Sequence, residues 1–244
     1  MSRFFINEDN IHGNSIIITG ADADHIKVLR LHVGDEITVC DGHDTDYRCK
    51  LTAFDGEHVT AEIIEVVSFD TEPSVACTIL AGFPKGERAD YIIQKCTECG
   101  ASEIIFFTSK RCVAKLEPKN YDKKMARFRK IAEAAAKQSG RGIIPHISAV
   151  PTLEDALDIA QKSDLTLFMY ETGERLKIRD VLQSAGTISS AAIITGPEGG
   201  FEESEVALAV QRGIHPLVMG PRILRCETAP VVAMTALMYE TNNL

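Results

Sequence analysis

The stretch from Ala191 to Val210, AAIITGPEGGFEESEVALAV, closes an apolar run with a Gly/Pro-rich turn and then takes up a helical pattern. That is the layout of a strand–loop–helix ligand site. Phosphate-cradling turns use backbone N–H groups and a lysine. The crook of this turn instead holds a carboxylate, Glu198, which repels phosphate. An acid among glycines suits hydroxyls, an ammonium or a sulfonium. Two further segments have related character: YET (170–172) and VMGPRILRCETAP (218–230), the second opening a helix with Thr228 as candidate N-cap and Pro230 as first-turn proline. Glycines let backbone approach a flat ring. Backbone amides and carbonyls can read an adenine edge, and Met219, Ile223 and Leu224 offer apolar walls. S-adenosylmethionine carries ribose hydroxyls, an ammonium and a sulfonium but no phosphate, so it is the cofactor this set points to. The competing reading of Glu198 is a charge at a helix N-terminus, stabilised by the macrodipole by about 0.3–1 kcal/mol.

A second group of residues bears on the substrate. The chain is acidic, with net charge −9, which by itself argues against a polyanionic partner. From Lys110 to Arg141, however, eleven basic residues face three acidic ones, a net +8 that leaves −17 for the rest of the chain. At 100° per residue, Lys123, Arg127, Lys130 and Lys137 fall within about 80° of one another. Met125, Phe128, Ala132 and Ala135 lie opposite them, so the helix buries one stripe and presents a basic one. A solvated face is the alternative. The helix ends in KQSGRGIIP, where Gly140 and Gly142 flank Arg141 in a loop from which a guanidinium can fork onto phosphate.

These residues need elements to position them. Residues 1–70 read as short β-branched strands (15–19, 36–41, 47–54, 58–67) with one helix over 22–30, capped by Asp22. Several short strands at this spacing predict a small β-barrel. Residues 71–74 form the linker. From Val75 to Leu244, apolar strands (75–83, 103–109, 165–171, 190–196, 215–220) alternate with helices starting near Glu87, Asn120, Thr152, Glu174, Glu202 and Thr228. That rhythm predicts an α/β domain with a mainly parallel sheet, its ligands at the carboxyl ends of the strands. The first ten residues turn polar too soon for a signal peptide, and no apolar run approaches a membrane span. A soluble cytoplasmic protein, with no membrane partner, is expected. Seven cysteines in such a chain are expected to be reduced, and the Cys96–Cys99 pair reads as the buried face of a helix rather than a metal site; no metal is expected.

The strings IITGPEGGF, LVMGPRILRCETA and AAAKQSGRGIIP, with MSRFFI and ADHIKVLRLHVGD near the start, resemble the 16S rRNA (uracil(1498)-N3)-methyltransferase family of the SPOUT class over essentially the whole chain. The resemblance implies a PUA-like N-terminal RNA-binding barrel and a C-terminal SPOUT domain with a trefoil knot. It implies a homodimer and S-adenosylmethionine held in the knot loops. It also implies methylation of a uracil N3 in 16S rRNA, on the 30S subunit. By matched motif, Gly196, Glu198, Gly199, Gly200, Met219, Gly220, Ile223, Leu224, Arg225, Thr228 and Ala229 fall in the cofactor loops. Tyr170 and Glu171 match a third loop more loosely. Lys137, Cys99 and Cys226 depart from the family's common residues without removing a motif position.

Uracil N3 bears a proton that must leave, so a base, or a cation that stabilises the uracilate oxygens, is required. Arg225 and Arg141 are the candidate cations and Glu227 the candidate carboxylate. Arg3, Lys27 and Arg30 are candidates for rRNA backbone contacts in the N-terminal domain, beside Lys123, Arg127, Lys130 and Arg141. Two alternatives stay open at this level. One is a ribose 2′-O-methyltransferase on the same domain, and the other is a non-catalytic RNA binder of ribosome assembly.

Overall fold

A computed structural model of the chain describes residues 3–42, 45–68, 71–114, 118–171 and 176–244. They fall into two units, residues 1–72 with 136–144, and residues 73–135 with 145–244.

The first unit is built on a sheet of six strands among the described residues. They are β1 (Arg3–Phe5), β2 (Ile11–His12), β3 (Ser15–Ile18), β4 (Glu36–Cys40), β5 (Thr45–Asp55) and β6 (His58–Ser68), in the order β1-β4-β5-β6-β3-β2. β1 runs parallel to β4 and the other pairs are antiparallel. β5 and β6 form a long hairpin closed at Asp55↔His58. Gly56 at the first loop position takes φ +57°, as a type II′ turn requires. Helix α1 (Gly20–Val28) sends Ala23 and Ile26 into a core with Phe4, Ile16, Ile18, Ile37, Val39 and Leu51. Its N-cap is Thr19 rather than Asp22, which lies inside the first turn. The strand at Arg3–Phe5 was not legible, because three residues are too few to show a period.

In the second unit the strands are β7 (Ala76–Gly82), β8 (Glu103–Phe107), β9 (His146–Val150), β10 (Leu165–Met169), β11 (Leu176–Lys177), β12 (Ser190–Thr195) and β13 (Pro216–Val218). Their order is β11-β13-β10-β12-β7-β8-β9, and every neighbouring pair is parallel. Helices α2 (Arg88–Glu98), α3 (Tyr121–Ser139), α4 (Leu153–Ala160), α5 (Ile178–Ser184), α6 (Glu203–Gln211) and α7 (Thr228–Glu240) connect and cover it. Both faces of the central strands are buried. Ala192 and Ile194 pack on α4 and α6 residues such as Leu157 and Ala209, while Ala191 and Ile193, pointing the opposite way, are equally inaccessible. These central strands have no exposed face to alternate against, hence their unbroken apolar runs in the sequence. Thr152 caps α4 by a reciprocal box with Asp155. The expected helix start at Glu174 lies outside the described residues, and α5 begins at Ile178. Helix α3 buries Met125, Phe128, Ala132 and Ala135 and exposes Lys123, Arg127 and Lys130, as its wheel predicts.

The strand order reverses between β12 and β7. On one side the chain steps outward through β8 and β9; on the other it lays down β10, then the edge strand β11, then returns to place β12 between β10 and β7 and β13 between β10 and β11.

Candidate active site

A pocket of about 490 Å³ opens at the carboxyl ends of β10, β12 and β13. Small-molecule sites run from roughly 300 to 1,000 Å³. Three loops line it, together with the start of α2. The loop after β10 brings Tyr170 and Glu171; Thr172 lies outside the described residues. The loop after β12 brings Gly196, Glu198 and Gly200, the loop after β13 brings Met219, Gly220, Ile223, Leu224 and Arg225, and the first turn of α7 brings Ala229. Two expected residues, Gly199 and Thr228, are not in the lining.

The packing explains why Gly199 is a glycine without lining the pocket. A Cβ there would stand 2.9 Å from Arg111 Cβ and 3.2 Å from its carbonyl oxygen, and Arg111 Nη1 donates to the Gly199 carbonyl at 3.2 Å. Close approach is required, but to the loop after β8. Gly200 has φ +65°, and a Cβ on it would sit 3.1 Å from Glu171 Oε1, so both its backbone conformation and the nearby loop after β10 favour glycine. Phe201 then pins the turn into the core, stacked on Phe168 with ring centroids 4.6 Å apart. Below it, Glu205 is buried and satisfied, accepting from the Glu202 and Lys110 backbones and from Ser109 Oγ. Thr228 is the first residue of α7, with Glu227 at the N-cap position and no side-chain cap.

Glu198 does not stand alone. It accepts a hydrogen bond from the Lys85 backbone N–H at 2.7 Å and another from Arg88 Nη1 at 2.7 Å. Arg88 Nε lies 3.4 Å from Glu227 Oε2, so one guanidinium bridges two of the pocket's three acids, Glu198 and Glu227. Glu227 also accepts from the Cys226 thiol at 3.2 Å. Burial, and then that carboxylate, push the thiol up to about 12, which keeps it a protonated donor. Sequence reasoning missed Arg88. Its signal was present: a cation in the first turn of a helix opposes the macrodipole, and PKGER follows a strand end as the other loops do.

The lining is graded in polarity. Its buried members are Met169, Thr195, Pro197, Phe201 and Leu217, while its charged members Arg88, Glu171, Glu198, Arg222, Arg225 and Glu227 are half-buried or exposed. Among the described residues, Thr195 Oγ1 is the buried side-chain polar atom with no hydrogen-bond partner.

The remaining candidates lie elsewhere. Arg141 is 3% exposed and forks onto Glu72, whose carboxylate also takes the Gly142 and Ile143 N–H groups. Arg3 pairs with Asp46 and donates to the Arg141 carbonyl. Both arginines are thus occupied inside the first unit, and neither lines the pocket. A guanidinium between glycines reads from sequence as a phosphate fork; Glu72, distant in sequence, takes that valence. Lys27 donates to the Gly56 carbonyl and Arg30 is exposed with φ +57°. On α3, Lys123 and Lys130 are exposed, Arg127 forks onto Asp90 at 2.6 Å, and Lys137 pairs with Asp22. All seven cysteines are free thiols. Among the described residues no group of His, Cys, Asp or Glu is arranged to hold a metal, and no helix is long and apolar enough to cross a membrane.

Comparison with known proteins shows the family of the chain. The RNA methyltransferase domain family matches residues 71–238, and the RNA methyltransferase PUA domain family matches residues 18–64. The chain is 35% identical to the ribosomal RNA small subunit methyltransferase E of Bacillus subtilis, covering 100% of this chain and 98% of that one. It is 32% identical to the enzyme of the same name from Mesomycoplasma hyopneumoniae, with 96% and 98% covered. A solved structure of a ribosomal RNA small subunit methyltransferase E from Neisseria gonorrhoeae, bound to S-adenosyl methionine, superposes with TM-score 0.88 at 29% identity, covering 98% and 97%.

Proposed function

Since the chain belongs to the RNA methyltransferase family, we propose that it methylates N3 of a uracil base in 16S rRNA, at the position numbered 1498, with S-adenosylmethionine bound in the pocket just described. The single observation that carries the reading is the pocket's composition. Glycine-bearing loops, an apolar buried end and an acidic rim suit a neutral nucleoside joined to a positively charged tail, and suit a triphosphate poorly. The unsatisfied Thr195 hydroxyl is a further sign that a ligand completes the site.

Residues 1–70 are proposed as a PUA-like RNA-binding barrel, 71–74 as a linker and 75–244 as the SPOUT domain. A trefoil knot in that domain fits the strand order, because β12 inserts between β10 and β7 before β13 passes to the far side of β10. Homodimerisation is supported by α2 and α7, which pack together and leave Tyr91, Val232 and Tyr239 exposed. The partners are 16S rRNA in the 30S subunit, and the site of action is the cytoplasm.

The cofactor supplies an electrophilic methyl carbon on a sulfonium that becomes neutral as it leaves. The protein must position an uncharged base at near-attack distance, ~3–3.5 Å, and handle its N3 proton. Glu227 is the candidate acceptor of that proton, oriented by Arg88 and the Cys226 thiol. Arg225, exposed at the rim, is the candidate cation for a uracilate oxygen. Arg141 is assigned a bracing role through Glu72 instead. Lys123 and Lys130, with Arg30 and Lys27, are candidate backbone contacts.

The test is transfer from labelled cofactor to 30S particles lacking the modification, followed by digestion to nucleosides and mass spectrometry. The label is expected on the uracil base. A label on ribose identifies a 2′-O-methyltransferase, and binding to 30S particles without transfer identifies an RNA-binding protein only.

A further inference from the structure

Thr195 ends the central strand β12, and its hydroxyl is buried with no partner. Strand geometry explains why. Within the sheet the neighbouring backbone groups are spent on the ladder, which pairs Thr195 with Ala81 on β7 and Ile194 with Phe168 on β10. The residue after Phe168 is Met169, which pairs in turn with Leu217 on β13. Thr195, Met169 and Leu217 are therefore side by side on three adjacent strand ends, and all three line the pocket. Two are apolar, and one carries both a donor and two acceptor lone pairs. A buried hydroxyl left unpaired is destabilising. A purely structural strand end here needs only a valine, which has the same shape without the polar atom.

We infer that the Thr195 hydroxyl hydrogen-bonds the adenosyl half of the bound ligand at the closed end of the pocket, making it a specificity-determining residue. This rests on the cofactor reading above and adds a direction to it. Charged groups are costly to bury and are found where charged partners stand. Every charged lining residue, Glu198, Arg225 and Glu227 among them, belongs to the half-buried or exposed part of the lining. The amino-acid tail and sulfonium belong at that rim. The neutral nucleoside belongs against Met169, Leu217 and Phe201, where one polar side chain waits for a purine or ribose atom.

The test is calorimetry of the full chain, wild type, Thr195→Val and Thr195→Ser, with S-adenosylmethionine, S-adenosylhomocysteine and 5′-methylthioadenosine. The last lacks the amino-acid tail. Thr195→Val is expected to weaken all three by a similar factor, about fivefold. Thr195→Ser is expected to bind within about twofold of wild type, since the hydroxyl remains. Unliganded Thr195→Val is expected to melt no lower than wild type, because it loses an unsatisfied polar atom. Wild-type affinity in Thr195→Val overturns the inference. So does a loss confined to the two ligands that carry the tail, or a serine variant as weak as the valine. A wild type that binds none of the three overturns the cofactor assignment itself, a separate result.

Discussion

Arg88 is the residue whose removal distinguishes a brace from a working part of the site. In Arg88→Met the stem length is kept and the guanidinium is lost. Three contacts disappear: the 2.7 Å bond to Glu198, the 3.4 Å pair with Glu227 and the 3.3 Å bond to the Lys85 carbonyl. The Arg88 side chain is 36% exposed, so each pair is screened and contributes only about 0.2–1 kcal/mol to stability. Against that, a cation in the first turn of α2 opposes the helix dipole, and its loss returns about 0.3–1 kcal/mol. The two nearly cancel, and the variant is expected to unfold within about 1 kcal/mol of wild type. Ligand affinity behaves differently. Glu198 keeps only the Lys85 N–H and Glu227 only the Cys226 thiol, so both acids regain rotamer freedom that binding must freeze. At about 0.5–1.5 kcal/mol per side chain, S-adenosylmethionine should bind roughly 5- to 150-fold more weakly. Denaturant unfolding and calorimetry on one preparation, with Glu198→Gln and the double variant completing a cycle, measure both quantities. A stability loss of several kcal/mol with unchanged affinity would refute the reasoning and make Arg88 a structural brace.

Gly199→Ala is expected to cost about 1–3 kcal/mol of stability by overpacking against Arg111, with affinity for the cofactor changed less than stability implies; thermal melts and calorimetry check this, and lost affinity at unchanged melting temperature places the Cβ toward the ligand instead. Asp164 is held down to about 2, from 3.8, by bonds from the Ser189 N–H and hydroxyl and then Ser190. It therefore stabilises the fold fully above pH 3.8 and loses that contribution as pH falls toward 2. Asp164→Asn should lower the denaturation midpoint by a constant amount from pH 7 to 5, the gap narrowing below pH 4. Lys123→Glu with Lys130→Glu should reduce the salt dependence of rRNA affinity by about 0.7–0.9 per lost phosphate contact; Arg127 is left intact because Asp90 already holds it. An unaltered slope makes that face of α3 merely solvated.

Periodicity served best where the chain packs on both sides of a strand or on one stripe of a helix. The apolar strands ending at Met169, Thr195 and Val218 and the buried stripe of α3 were legible for that reason. β9 was not, since HISAV is half-buried at the sheet edge and short. The glycine turn announced a ligand site, but the reason for each glycine was not readable. Gly199 accommodates Arg111 and Gly200 faces Glu171, contacts that join loops far apart in sequence. The same holds for charge. Composition marks Arg141 and Arg3 as free cations, while Glu72 and Asp46 claim them through the fold. Arg88 is the converse case, an unremarked helix-start residue that the strand order brings between two acids. Identity and charge are local properties; pairing is decided by topology.

The central claim is that one pocket, at the carboxyl ends of β10, β12 and β13, holds the methyl donor. A crystal structure of the protein grown with S-adenosylmethionine tests it most directly. Density for the adenosyl group is expected against Met169, Thr195 and Leu217, with the sulfonium toward Glu198 and Glu227. Density for the cofactor at any other site, or a nucleoside triphosphate seated in this one, contradicts it.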